Sequence, residues 1–184
     1  MALMHSTEMM IGEKAPSFSL LGTDDKTHSF AGLLNGKKAA VIMFICNHCP
    51  YVKAHFRRIA QLAEKYLHKE VAVIGINPND ENVYSEDSFE NMKKIVVKHH
   101  FVFHYLRDDQ QTVAKAYNAV CTPEFFVTDA NGIIRFHGAF DDNWKDEAEV
   151  TTRYLENAIE DILAGREVKE VTPHSMGCSI KWKS

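Results

Sequence analysis

The chain has 184 residues, is 45% hydrophobic and carries a formal net charge of −4 with a pI near 6.2. That is enough material for one well-buried domain and too little for two ordinary ones. The mild acidity gives no electrostatic basis for binding nucleic acid or an anionic membrane, and no apolar stretch reaches membrane-spanning length.

Met1 to Met10 lacks the basic start and continuous apolar core of a signal peptide, so it reads as a flexible tail and the protein as cytoplasmic. One domain is expected from residue 11 to 184, with a C-terminal tail from about residue 166 that shows no strong period. Gly12 to Pro16 is turn-forming. Phe18, Leu20 and Leu21 suggest a short strand, Gly22 to Asp25 a hairpin turn, and Thr27 to Phe30 a second strand. Asn35 to Lys38 is a turn that delivers the chain into Ala39 to Phe44, a short apolar run that reads as a buried strand. Beyond it, Val52, Phe56, Ile59, Ala63 and Tyr66 recur at helical spacing. Val71 to Ile76 is a further buried strand, and strand–helix–strand predicts a βαβ unit with parallel pairing. Ser88 is a helix N-cap with Asn91 at N3, and Phe89, Met92, Ile95 and Val96 form that helix's apolar face. Phe101 to Phe103 reads as a brief extended piece and Thr112 to Asn118 as a helix. Asn131-Gly132 is a hairpin turn leading into a strand over Ile133 to Phe136, and Thr151 to Ala164 is the last helix, with Gly165 just past its end. The expected fold class is α/β: a central mixed sheet flanked by helices, with an added N-terminal β-hairpin and an inserted helix at Ser88.

The chemistry centres on Cys46-Asn47-His48-Cys49, placed where the buried strand gives way to the long helix. Unpaired backbone N–H groups at a helix start favour a thiolate, which is what a nucleophilic cysteine requires. Three readings apply to the pair. A redox-active CxxC suits its place in an α/β pattern. Half a zinc site lacks a second pair, since Cys121 and Cys178 stand alone. Two inert core thiols form the third. Four cysteines in a reducing compartment favour catalysis or sensing over structural bridges. His48, when protonated, favours a neighbouring thiolate; its other reading is an exposed loop histidine. The helix starts either at Asn47, with Pro50 in its first turn, or at Pro50, with Cys49 as N-cap; the second arrangement would give Cys49 the lower pKa.

With Thr122-Pro123, the CxxC resembles the thioredoxin superfamily, and Gly12 to Phe18 resembles its alkyl hydroperoxide reductase and redoxin branch. Cys46 to Lys53 and Gly177 to Lys183 are similar to peroxiredoxin-like thioredoxin-fold proteins of bacteria. The resemblance implies that Pro123 is cis and faces the CxxC, and that the backbone of Thr122 pairs with extended substrate. It implies a thiol–disulfide oxidoreductase in which Cys46 is the nucleophile and Cys49 the resolving thiol, acting on disulfide-bearing proteins or small thiols and supplied with electrons by a reductase or glutathione. No cofactor or metal is implied. Peroxidase chemistry is an alternative, although the peroxiredoxin Thr or Ser three residues before the peroxidatic cysteine is replaced by Cys46 if Cys49 takes that role, and the family arginine beside the strand at Phe125 to Val127 is missing. The buried acid of thioredoxins, six positions before the first cysteine, is Ala40 here, leaving water, His48 or Glu124 to accept protons. Cys121 and Cys178 are possible additional redox thiols: Cys121 is otherwise a buried strand-entry thiol, and Cys178 a tail residue docked by Ile180 and Trp182. A Sco-like copper-binding protein is the alternative outside catalysis, with His137 or His174 as the remote ligand.

Overall fold

In the computed structural model, residues 3–6, 11–169 and 173–183 are described. Strand β4 (Ala39–Phe44) runs through the middle with all six residues buried. Ala39, Val41 and Met43 point into one apolar cluster and Ala40, Ile42 and Phe44 into the other. A strand covered on both faces must be apolar throughout, which is why this segment reads as a continuous run instead of alternating. Taking the remaining strands as β1 (Leu3–His5), β2 (Ser19–Gly22), β3 (Thr27–Ser29), β5 (Val71–Asn77), β6 (His104–Arg107), β7 (Cys121–Thr122), β8 (Glu124–Asp129), β9 (Ile134–Gly138) and β10 (Met176–Ser179), the main sheet has the order β3-β2-β6-β5-β4-β8-β9. β4–β5 and β5–β6 are parallel; the other pairs are antiparallel, so the sheet is mixed.

Helix α1 (Phe30–Leu34) and α4 (Thr112–Ala116) cover one face; α2 (Pro50–Tyr66), α3 (Phe89–Lys98) and α5 (Tyr154–Leu163) cover the other. The α2 stripe of Val52, Phe56, Ile59, Leu62, Ala63 and Tyr66 is buried, at about 1.5–3 kcal/mol for each large side chain removed from water. Ser88 caps α3 by accepting from the Asn91 amide. This is the thioredoxin fold, with the β2–β3 hairpin and α3 as additions.

Three expectations need correcting. Leu3–His5, in the stretch read as a flexible tail, is strand β1; residues 1, 2 and 7–10 of that stretch lie outside the described residues. The expected extended piece at Phe101 to Phe103 falls before β6: the Phe101 and Phe103 rings stack at 4.6 Å and fill the core, and sheet pairing starts only at His104. Within the tail expected from about residue 166, Met176–Ser179 forms β10, held between β1 and β7 in a second, three-stranded sheet. Residues 170–172 and 184 of that tail lie outside the described residues. A four-residue strand containing Gly, Cys and Ser has no hydrophobic alternation to announce it; its two neighbours supply the pairing.

Candidate active site

Cys46 and Cys49 sit between β4 and α2. Of the two helix starts the sequence allowed, the second is realised: Pro50 is the first helical residue and Cys49 the N-cap, in an extended conformation at φ −64° and ψ 126°. Proline suits that place, because its missing N–H would have had no helical partner. The loop faces the Thr122–Pro123 bond, which is cis. Cys46 Sγ is 3.2 Å from Thr122 Oγ1, and Cys49 Sγ is 3.2 Å from the Thr122 carbonyl oxygen.

Cys178 completes the group. Strand β10 pairs Cys178 with Thr122, and its Sγ lies 2.9 Å from that of Cys49. All four cysteines are buried thiols. Cys121 lies apart from this contact, beside Glu124 Oε2 at 3.6 Å and the Pro123 and Ser175 carbonyls.

The environment divides the sulfurs. Hydrogen bonding from Cys46 lowers the Cys49 pKa to about 5 against the opposing effect of burial, with help from the Cys178 thiol and the amides of Val52 and Cys178. Burial pushes Cys46 well above its ordinary value; hydrogen bonding to Cys49 and the charge of Asp87 act in the same direction. Burial pushes Cys178 up to about 12, and burial with Glu124 raises Cys121 further. Of the two sulfurs, Cys49 is the one whose environment favours the thiolate, as the sequence allowed for a helix starting at Pro50: the helix terminus lies at the second cysteine and the carboxylate of Asp87 bears on the first.

His48 is neither exposed nor turned toward solvent. Its ring stacks on Tyr84 at 3.9 Å, and Nδ1 is 2.5 Å from Asp87 Oδ2. Asp87 also accepts from the Asn47 amide at 2.6 Å and from Asn79 Nδ2 at 2.9 Å, while Tyr105 donates to Asn47 Oδ1 at 3.0 Å. Gly75 makes room for the side chains packed behind this cluster, since a Cβ there would stand 2.8 Å from Phe103, 2.9 Å from Ile45 and 3.1 Å from Tyr105. Asp87, Asn79, Tyr84 and Tyr105 were not singled out from the sequence. The polar break Asn77 to Asp80, at the strand end nearest the cysteines, was the available signal.

Glu124 is engaged away from the CxxC: Oε2 accepts from the Val120 and Cys121 amides, and Oε1 is 2.7 Å from His137 Nε2. Of the histidines considered for copper, His137 is buried against Glu124 and His174 Nδ1 is 3.3 Å from Ser6 Oγ; neither belongs to a cluster of three or more potential ligands among the described residues. Cys46, His48 and Asp87 do converge, with ligating atoms within 4.8 Å of one another. At 2.5 Å, however, the His48–Asp87 contact is a direct hydrogen bond and leaves no place for an ion between the two. A second group, Asp24, His28 and His104, lies toward the surface away from the cysteines.

A groove of about 440 Å³ opens beside Pro123, lined by Phe125, Phe140, Trp144, Tyr154 and Met176 among others. It is aromatic and apolar, as small-molecule and peptide side-chain sites usually are. Among the described residues no helix is long and apolar enough to cross a membrane.

The AhpC/TSA family model matches residues 11–137. The chain belongs to the AhpC/TSA family. No curated protein matches it in sequence. Among solved structures it is similar to an uncharacterized conserved protein from Geobacillus kaustophilus, at 39% identity over 100% of this chain and 97% of that one, with a TM-score of 0.93. It is also similar to a hypothetical protein from Sinorhizobium meliloti, at 33% identity over 98% of each chain and a TM-score of 0.93. A secreted disulfide oxidoreductase of Mycobacterium tuberculosis shares the fold at 19% identity and a TM-score of 0.57, over 80% of this chain and 95% of that one.

Proposed function

We propose that this protein is a thiol–disulfide oxidoreductase whose redox pair is Cys46 and Cys49, acting on disulfides of proteins or small thiols in a reducing, cytoplasmic setting. The observation that carries the reading is Cys49 at the N-cap of α2, opposite the cis Thr122–Pro123 bond, with its pKa lowered to about 5 beside a protonated Cys46. The Cys49 thiolate attacks a substrate disulfide; one substrate sulfur leaves and a mixed disulfide forms. Once Cys49 is in a neutral bridge, its thiolate no longer adds to the burial and the Asp87 charge that keep Cys46 protonated. Cys46 then attacks Cys49, the second substrate sulfur leaves with the proton Cys46 gives up, and the Cys46–Cys49 bridge remains. Two electrons have passed to the substrate, and a dithiol reductase or glutathione restores the pair. The groove beside Pro123 supports recognition of an apolar or aromatic side chain next to the substrate cysteine.

Membership of the AhpC/TSA family and the low Cys49 pKa support a second reading, thiol peroxidase. Against efficient peroxide chemistry, Cys46 occupies the position three residues before Cys49 where a hydroxyl donor to the leaving oxygen would stand.

Equilibration with glutathione buffers, followed by thiol trapping and mass spectrometry, tests the main reading. A Cys46–Cys49 bridge is expected, with a potential less negative than the thioredoxin value of about −270 mV because the Cys49 thiolate stabilises the reduced form. No such bridge at any poise would overturn it. Turnover of hydrogen peroxide that needs Cys49 and survives Cys46→Ser would favour the peroxidase.

A further inference from the structure

The edge strand β7 offers its backbone at Thr122, beside the redox pair, and the chain's own β10 lies on it. Cys178 pairs with Thr122 and Ser179 with Cys121, antiparallel. Adding an extended segment to an exposed strand edge is how sheets capture peptides, with the ladder supplying affinity and side chains supplying choice. Here the added segment carries a cysteine at the position that meets Thr122, and its sulfur reaches within 2.9 Å of Cys49.

We propose that β10 is a built-in substrate strand and that Cys178 is a third redox residue, taking the disulfide over from Cys46. The proposal goes beyond the CxxC reading and rests on it, because the exchange starts from the Cys46–Cys49 bridge. Cys178, as thiolate, attacks Cys49 Sγ. The Cys49–Cys178 bond forms, the Cys46–Cys49 bond breaks, and Cys46 leaves as thiolate and takes up the proton that Cys178 released. No electrons are gained or lost; the bridge moves into β10.

Three features fit a strand built for this place. Gly177 lies so close to the cis bond that a Cβ would stand 2.1 Å from the Thr122 oxygen, so only glycine permits the approach that brings Cys178 to Cys49. The strand is pinned on both sides: the Ser175 hydroxyl donates to the Gly138 carbonyl at 2.5 Å and the Ile180 amide to the Val120 carbonyl at 3.0 Å. Beyond it, the Lys181 amide donates to Asn79 Oδ1 at 2.9 Å, and Asn79 also binds Asp87, which holds the CxxC loop. Strand and loop are thus tied to one polar cluster. The Cys49–Cys178 bridge locks β10 over the Thr122 edge and excludes other strands; reduction leaves only the ladder and its anchors to be displaced by an incoming peptide.

The test is disulfide mapping of the full chain, wild type, Cys46→Ser and Cys178→Ser, after equilibration with reduced and oxidised glutathione, acid quenching and alkylation. The expected result is both bridges in the wild type, a Cys49–Cys178 bridge replacing the Cys46–Cys49 one in Cys46→Ser, and only Cys46–Cys49 in Cys178→Ser. The wild-type map carries the test without any substitution, and circular dichroism establishes that the variants are folded. A wild type and a folded Cys46→Ser in which Cys178 is free or joined only to glutathione, at a poise where the wild type holds Cys46–Cys49, overturn the relay and leave the CxxC reading standing. A wild type without a Cys46–Cys49 bridge at any poise overturns both.

Discussion

His48 Nδ1 lies 2.5 Å from Asp87 Oδ2, and both side chains are almost entirely buried. The same carboxylate accepts from the Asn47 amide, so one residue of the β5–α3 connection holds both middle residues of the CxxC. Replacing Asp87 by Asn removes a charged acceptor from buried donors and should cost roughly 3 kcal/mol, within the range for breaking a buried pair. Urea unfolding would show this as a lower midpoint at unchanged slope. Because the Asp87 charge raises the Cys46 pKa, the variant should also let Cys46 ionise at lower pH, seen as an earlier onset of its alkylation. Unchanged Cys46 titration would mean that the carboxylate acts on structure alone.

The Cys49 thiolate sets a pH dependence. In the reduced protein its ionisation, followed by thiolate absorbance or alkylation rate, should have its midpoint near pH 5 instead of the ordinary 9.0. The native pKa is lowered, so the unfolded chain binds more protons between these values and stability rises with pH there. The contribution is fully present above about pH 9, and it is lost as pH falls toward 5. The bridged protein has no such group. Reduced protein should therefore gain stability relative to oxidised protein from pH 5 upward, measured by paired denaturant titrations; parallel curves would refute the assignment.

Thr122 Oγ1 is the hydroxyl beside Cys46, and its hydrogen bond works against the other influences by lowering the Cys46 pKa. Thr122→Val keeps the shape and removes the bond, worth about 1 kcal/mol net. Resolution of the mixed disulfide should slow by about fivefold for about 1 kcal/mol, while attack by Cys49 is little altered. Stopped-flow kinetics would show the mixed disulfide accumulating.

Gly177→Ala should lift β10 from the cis bond, because the added methyl meets backbone that cannot rotate away. The expected outcome is faster alkylation of Cys49 and Cys178 in the reduced protein and loss of the Cys49–Cys178 bridge, with the main sheet retained by circular dichroism. Alkylation at the wild-type rate would show that the strand does not control access.

Local pattern made much of this readable. The run Ala39 to Phe44, the stripe from Val52 to Tyr66 and the Ser88 cap are set by contacts a few residues apart, and each element formed close to its expected place. The helix start was ambiguous between Asn47 and Pro50 because a proline fits either first-turn position; the buried anchoring of Asn47 by Asp87 accompanies the second.

From the amino-acid order came the fold class and the CxxC at a strand–helix junction, and from its resemblance to the thioredoxin superfamily the expectation that Thr122-Pro123 faces that pair. Tertiary structure alone decided how the surroundings of the two CxxC sulfurs differ, what holds His48, and that Cys178 stands beside Cys49. Periodicity records which face of an element is buried, and that is a local property. The Cys49–Cys178 contact joins residues 129 apart through a short strand with no apolar alternation, and the Asp87 contacts join a loop to residues 39 and 40 positions earlier. Such partners are set by which strands and loops the sheet brings to one end, where hydrogen bonding and low dielectric then divide the protons among them.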